Sequence, residues 1–281
     1  MSRIDIPQEY ENLHDSIFKY KMNHSRRGRC LIINNKKFDE MGLRTGAEQD
    51  EKNLKESFLS LGFQERDIKI KTDLKTAKMR KELEKLAEKD YTDNDCLICC
   101  ILTHGDENYL YGTDGSVENY LHANELTNIF VKKGHRTLAG KPKIFFIQVC
   151  RGRELDDGSK LVDDGVVESA GPGGTRPVLK PRPKHYQISE QSDFLLAWAA
   201  PPGYFSFRNN ENGSWFIQEL GKVLKKDGQR LEIHQILSRV NYLVSYRHSA
   251  QAEGKAHHNK KLSPCFESRL TKELYFSYTS D

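Results

Sequence analysis

Four short apolar runs alternate with helical patterns along the chain, and this alternation constrains the fold more than any other feature. RCLIINN (29–35), DCLICCILTHG (95–105), PKIFFIQVCRG (142–152) and SDFLLAWAAPPG (192–203) are apolar throughout rather than at every second residue. A strand apolar on both faces must be covered on both, the situation of a central strand in a parallel sheet between helical layers. Between the runs, AEQDEKNLKESFLSL (47–61) reads as a helix, with Leu54, Phe58 and Leu61 at helical spacing and Gly62 as the stop. TAKMRKELEKLAEK (76–89) is an amphipathic Lys/Glu helix, HANELTNIF (122–130) is helical, and two longer helices follow near 214–227 and 232–247. IKIKTDL (68–74) is strand-like. LSPCFESRL (262–270) is a last strand whose Pro264 suits an edge or an interface. The expected fold class is α/β, with a six-stranded, mostly parallel sheet and helices on both faces, a three-layer αβα arrangement.

One segment breaks the pattern. Residues 153–191 carry two Asp-Asp-Gly turns and then GPGGTRPVLKPRPKH, with four prolines and three glycines within 171–183. Such a stretch forms no regular element and reads as a long exposed linker dividing a larger piece from a smaller one. The 281 residues are ample for a core. The 44 basic and 40 acidic residues, a net charge of +4, are too balanced and too dispersed to argue for nucleic acid. No apolar run approaches membrane-spanning length, and the start lacks a basic-then-apolar signal pattern, so neither membrane nor secretion is expected. The six cysteines then belong in a reducing, cytoplasmic setting rather than in disulfides.

Two of the apolar runs end in reactive residues, Thr103-His104-Gly105 and Gln148-Val149-Cys150-Arg151-Gly152. In sheets of this kind functional groups gather beyond the carboxyl ends of the strands. A cysteine needs a base or a low pKa to become the thiolate that attacks a carbonyl, and a histidine on a neighbouring strand end can supply the base. Gly105 lets backbone approach a substrate oxygen closely, and its N–H with that of Cys150 can form an oxyanion hole. Taken singly, each signal has a blander reading: a histidine at a strand end is usually structural, and a strand cysteine is usually core. Cys96, Cys99 and Cys100 fit that second reading. His257-His258 with Cys265 has the residue types of a zinc site, yet KAHHNKK reads as a solvated basic loop, so no metal is expected.

In combination these residues carry a resemblance. QVCRG at 148–152, with His104 well upstream, matches the caspase signature Gln-Ala-Cys-[Arg/Gln/Gly]-Gly with a histidine about 50 residues before it. YKMNHSRRGRCLIINNKKFDE (20–40), RTGAEQDEKNLKESF (44–58), LTHGDENYLYGTDG (102–115), GYFSFRNNENGSWFIQEL (203–220) and LTKELYF (270–276) extend it over nearly the whole length. The chain resembles effector caspases of the short-prodomain kind. It departs from them in Val149, where alanine is usual, in Phe207, where tryptophan is usual, and in the loop 249–258, which lacks the expected aromatics.

The resemblance implies a cysteine endopeptidase that cuts proteins after aspartate in apoptosis. Cys150 would be the nucleophile, His104 the acid–base, and Gly105 with Cys150 the oxyanion-hole donors. Arg44, Gln148 and Arg208 would line the first subsite, two guanidiniums matching a carboxylate with fixed forks of donors. Ser206, Phe207 and Asn209 would pair with an extended substrate backbone. Phe205 and Phe207 would shape the second subsite and Trp215 would wall the fourth, helix core being the rival reading for Trp215. The implied organisation is a leader at 1–28, too short for an adaptor-binding domain, a large subunit at 29–164, a cleavable linker at 165–191 and a small subunit at 192–281. The zymogen would be cut at Asp164 rather than Asp157, with Asp15 a trimming site in the leader. No cofactor is implied. The partners are protein substrates with exposed Asp-containing segments, an upstream initiator caspase, a second copy of the chain and inhibitor-of-apoptosis proteins. A catalytically silent homologue acting as a binding partner or decoy is the alternative. A metacaspase-like preference for Arg or Lys would need acidic residues where the two arginines stand, and a nucleotide site would need a glycine-rich phosphate loop that follows none of the strands.

Overall fold

A computed structural model describes residues 15–116, 118–157, 189–247, 249 and 258–277. Six strands form one sheet: β1 (Arg26–Asn34), β2 (Ile68–Thr72), β3 (Asn94–Leu102), β4 (Lys143–Gln148), β5 (Phe194–Trp198) and β6 (Cys265–Ser268). Their order is β6-β5-β4-β3-β1-β2, with β1 to β5 parallel and β6 antiparallel against β5. The helices are α1 (Ala47–Ser60), α2 (Thr76–Ala87), α3 (Ala123–Lys133), α4 (Trp215–Asp227) and α5 (Ile233–Arg247).

The two-sided burial follows from the period of two along each strand. On β3, Cys96, Ile98, Cys100 and Leu102 enter one core with Leu54 and Phe58 of α1, Phe216 and Leu220 of α4, and Ile236 and Val240 of α5. The intervening Leu97, Cys99 and Ile101 enter a second core with Met79 and Leu83 of α2 and Leu126 and Phe130 of α3. Three helices therefore cover one face and two the other. Each fully buried Leu, Ile or Phe contributes about 1.5–3 kcal/mol. Among the described residues no helix is long and apolar enough to cross a membrane.

The expected elements are all present with different ends, each for a physical reason. β1 starts at Arg26, earlier than the apolar run, because the buried Arg27 guanidinium meets the buried Asp95 carboxylate at 2.8 Å, a pairing no apolar pattern reveals. α3 starts after His122, whose ring accepts from the Asn124 N–H while Glu125 accepts from the His122 N–H, both at 3.1 Å. β5 stops at Trp198, ahead of Pro201 and Pro202, which have no N–H for a ladder. β6 is confined to Cys265–Ser268, directly after Pro264, and takes the expected edge position.

Candidate active site

β3 and β4 are neighbours, and their carboxyl ends part at one level. Leu102 is in register with Gln148, and the Thr103 N–H donates to the Gln148 carbonyl at 3.1 Å. Beyond this point Gly105–Asp106 folds back on Tyr109–Leu110, while Gly152–Glu154 runs beside Gly203–Tyr204. The divergence leaves His104 just past the end of one strand and Cys150 just past the end of its neighbour, one on each of two adjacent lips. Gly105 is required by contact: a Cβ there would lie 2.5 Å from the Tyr109 carbonyl oxygen, 3.1 Å from Val149 Cβ and 3.2 Å from the Cys150 carbonyl oxygen. Val149, the departure from the usual alanine, points into the second core and is buried.

His104 is half-buried. Its Nε2 lies 2.7 Å from the Gly42 carbonyl oxygen, and its ring packs tilted against Phe38 at 4.6 Å between centroids. A carbonyl only accepts, so this bond puts the proton on Nε2 and leaves Nδ1 as the basic nitrogen of the neutral ring. Burial pulls the His104 pKa below its ordinary value, and the Arg44 and Arg208 charges act in the same direction, against the Gly42 bond. Cys150 is also half-buried, with Sγ 3.5 Å from Ser206 Oγ and 3.8 Å from the Ser206 carbonyl oxygen.

Beside the thiol lies a cationic pocket. Arg44 is buried at the foot of α1, and its Nη1 donates to the Asn35 carbonyl at 2.8 Å and reaches Asn34 Oδ1 at 3.4 Å. Its Nη2 is buried without a partner, as is Gln148 Oε1. Arg208 donates from Nε to the Thr45 carbonyl at 2.8 Å. Burial and the neighbouring Arg208 push the Arg44 pKa down to about 9, the mark of a cation short of counter-charge. Gln148 Nε2 donates to Ser206 Oγ at 2.9 Å, so the same hydroxyl touches both the pocket and the thiol. A thiol and an imidazole on adjacent lips, next to two guanidiniums with unspent donors, can attack a carbonyl whose neighbouring side chain carries a carboxylate.

The rest of the wall comes from residues 205–215. Arg208–Asn209 pairs antiparallel with Gly213–Ser214, and Asn209 Oδ1 closes the turn by accepting from the Glu211 and Asn212 N–H groups at 2.7 and 3.0 Å. Phe205 is exposed, whereas Phe207 stacks on Trp215 at 4.7 Å between centroids. Trp215 is buried at the start of α4, as the core reading has it. Asp157 pairs with Lys260, and its neighbour Asp156 bridges to Lys261. Asp15 opens a short 3-10 turn ending at Phe18. Asp164 and His257, with nearly all of the loop 249–258, lie outside the described residues. Cys96, Cys99 and Cys100 are buried, and burial raises all three thiol pKa values, as the core reading requires.

Sequence reasoning did not single out Phe38, Gly42, Asn34, Asn35, Thr45 or the buried Asp50. Gly42, Thr45 and Asn35 act through backbone carbonyls, which leave no trace in side-chain pattern. Asp50 was legible only as a polar residue within an amphipathic helix.

Comparison with known proteins places the chain in one family. The family model described as Caspase domain matches residues 27–275. The chain is 42% identical over 262 residues to caspase-7 of Gallus gallus, covering 92% of this chain and 80% of that protein. It is 40% identical over 260 residues to caspase-3 of Bos taurus, covering 92% and 87%. The crystal structure of caspase-1 from Spodoptera frugiperda superposes with a TM-score of 0.81 at 33% identity, covering all of this chain and 99% of that one.

Proposed function

The chain belongs to the caspase family of cysteine peptidases, and from that premise we propose that it cuts proteins after aspartate as an executioner protease in apoptosis. The observation that carries this reading is the pair of guanidiniums, one of them buried with an unpartnered Nη2, beside the Cys150 thiol. A substrate aspartate entering the pocket gives Arg44 and Arg208 the carboxylate they lack and draws Gln148 off Ser206. His104 Nδ1 takes the proton of the Cys150 thiol, and the sulfur bonds to the carbonyl carbon, with the oxyanion accepting from the Gly105 and Cys150 N–H groups. The C–N bond breaks as His104 delivers a proton to the departing amine, and a water deprotonated by His104 releases the acid and restores the thiol. Ser206, Phe207 and Asn209 align the substrate backbone, Phe205 and Phe207 shape the second subsite, and Trp215 closes the fourth.

The experiment treats linker-cleaved protein with an aspartyl fluoromethyl ketone and maps the adduct. The expected result is one adduct on Cys150, with aspartyl peptides turned over before treatment. A Cys150 that reacts with a small haloacetamide but neither takes the ketone nor cuts peptide would identify a silent binding homologue instead.

The zymogen, processing and assembly readings belong to the same proposal. Cleavage after Asp164 activates the chain. Asp157 is held against Lys260 beside the bridge from Asp156 to Lys261, which supports its being the poorer bond to reach another enzyme's cleft. Mass mapping after treatment with an initiator caspase should find Asp164→Ala intact in the linker and Asp157→Ala cut. Two cleaved chains pair through β6, which ends the sheet as described. A stable monomer of the inhibitor-bound enzyme at micromolar concentration in sedimentation would contradict this.

A further inference from the structure

Asp50 lies six residues beyond Arg44, in the first turn of α1, and is fully buried. A lone buried carboxylate is strongly unfavourable unless its oxygens are satisfied and a cation is near. Both oxygens are satisfied by one residue: Oδ1 accepts from the Ser214 N–H and Oδ2 from the Ser214 hydroxyl, each at 2.7 Å. Ser214 is the N-cap of α4, yet its hydroxyl makes no capping bond and goes to Asp50 instead. Ser214 is also the ladder partner of Arg208. The two segments touch at further points: Arg208 Nε bonds the Thr45 carbonyl, and a Cβ on Gly46 would lie 2.6 Å from the Asn209 carbonyl oxygen.

The charges point the same way. Asp50 raises the pKa of Arg44 and of Arg208 against the burial that lowers both, while burial raises its own. Two arginines and one buried aspartate leave a single net positive charge, the amount one substrate carboxylate neutralises. Without Asp50 the guanidiniums keep only the exposed Glu48 and the Cys150 sulfur as compensating groups, and Arg208, on a two-residue ladder, is the one more able to turn away.

We propose that Asp50 is a positioning residue for aspartate recognition, a buried anion that locks the Arg208 hairpin against the Arg44 helix so that the pocket stands assembled before substrate arrives. It touches no reacting atom and acts through Ser214 and Arg208. The proposal rests on the reading of Arg44 and Arg208 as the aspartate pocket. Loss of preorganisation is felt in binding, since the substrate must then order the hairpin itself.

The test measures kcat and KM of the linker-cleaved enzyme on an aspartyl tetrapeptide for wild type, Asp50→Asn, Ser214→Ala, Arg208→Ala and the double variant Asp50→Asn with Arg208→Ala. Asp50→Asn should raise KM about tenfold with kcat within about twofold and with haloacetamide labelling of Cys150 unaltered. Ser214→Ala, which keeps the charge and removes one bond, should raise KM about threefold and decides the matter if Asp50→Asn does not fold. In the Arg208→Ala background the Asp50→Asn effect should vanish, because there is no hairpin guanidinium left to place. An unchanged KM in both single variants, or an equal effect with and without Arg208, overturns the proposal. If Arg208→Ala itself leaves aspartyl turnover intact, it is the pocket reading that has failed.

Discussion

Replacing the substrate aspartate by asparagine perturbs the pocket without touching the protein, so no folding effect enters. The two side chains are nearly the same size, but asparagine brings no charge and offers one oxygen where aspartate offers two. Arg44 is buried, its pKa is already depressed by burial and by Arg208, and its Nη2 has no partner. With asparagine bound, one guanidinium edge faces an amide N–H₂, donor against donor. Breaking a buried charge pair by removing one partner costs about 3–5 kcal/mol. At about 1.36 kcal/mol per tenfold change in rate, kcat/KM should fall by two to four orders of magnitude. The assay compares kcat/KM on tetrapeptides identical except for that residue, at fixed pH and salt. A difference of less than tenfold would refute the reasoning, because it would mean that Arg44 and Arg208 are satisfied without the substrate carboxylate.

Gly105→Ala should lower kcat/KM about a hundredfold while the protein still folds, since a Cβ 2.5 Å from the Tyr109 carbonyl oxygen and 3.2 Å from the Cys150 carbonyl oxygen must separate the two lips; wild-type kinetics would show that the lips tolerate the shift. Val149→Ala removes two buried methyl groups from the second core, so urea unfolding should record a loss of about 1–2.5 kcal/mol with kcat almost unchanged, and a large fall in kcat would place Val149 in the chemistry. Because burial holds the His104 pKa below 6.5, the neutral ring persists as pH falls, and the acid limb of kcat/KM should lie below pH 6.5. Removing one repelling cation, as in Arg208→Ala, should move that limb upward, and a wild-type limb above pH 7 would remove His104 from the role of base.

The order of apolar runs and helical patterns was enough to specify a parallel sheet covered on both faces, because a strand apolar on every residue has no other stable surroundings. The strand ends at His104 and Cys150 were legible for the same reason: reactive polar residues that interrupt apolar runs stand out locally. The pocket arginines were legible only through resemblance, since a lone arginine in a polar stretch reads as surface charge. Strand order, and with it the adjacency of β3 and β4 that puts the two lips side by side, is a matter of long-range pairing that no local pattern encodes. The charged start of β1 was missed because Arg27 is stable in the interior only beside Asp95, far along the chain. The proton position on His104 depends on the Gly42 carbonyl, a backbone group that every residue type offers alike. Asp50 shows the limit most clearly: as a letter it is one more polar residue on a helix, and only the folded chain brings Ser214 onto both of its oxygens and two arginines within reach of its charge.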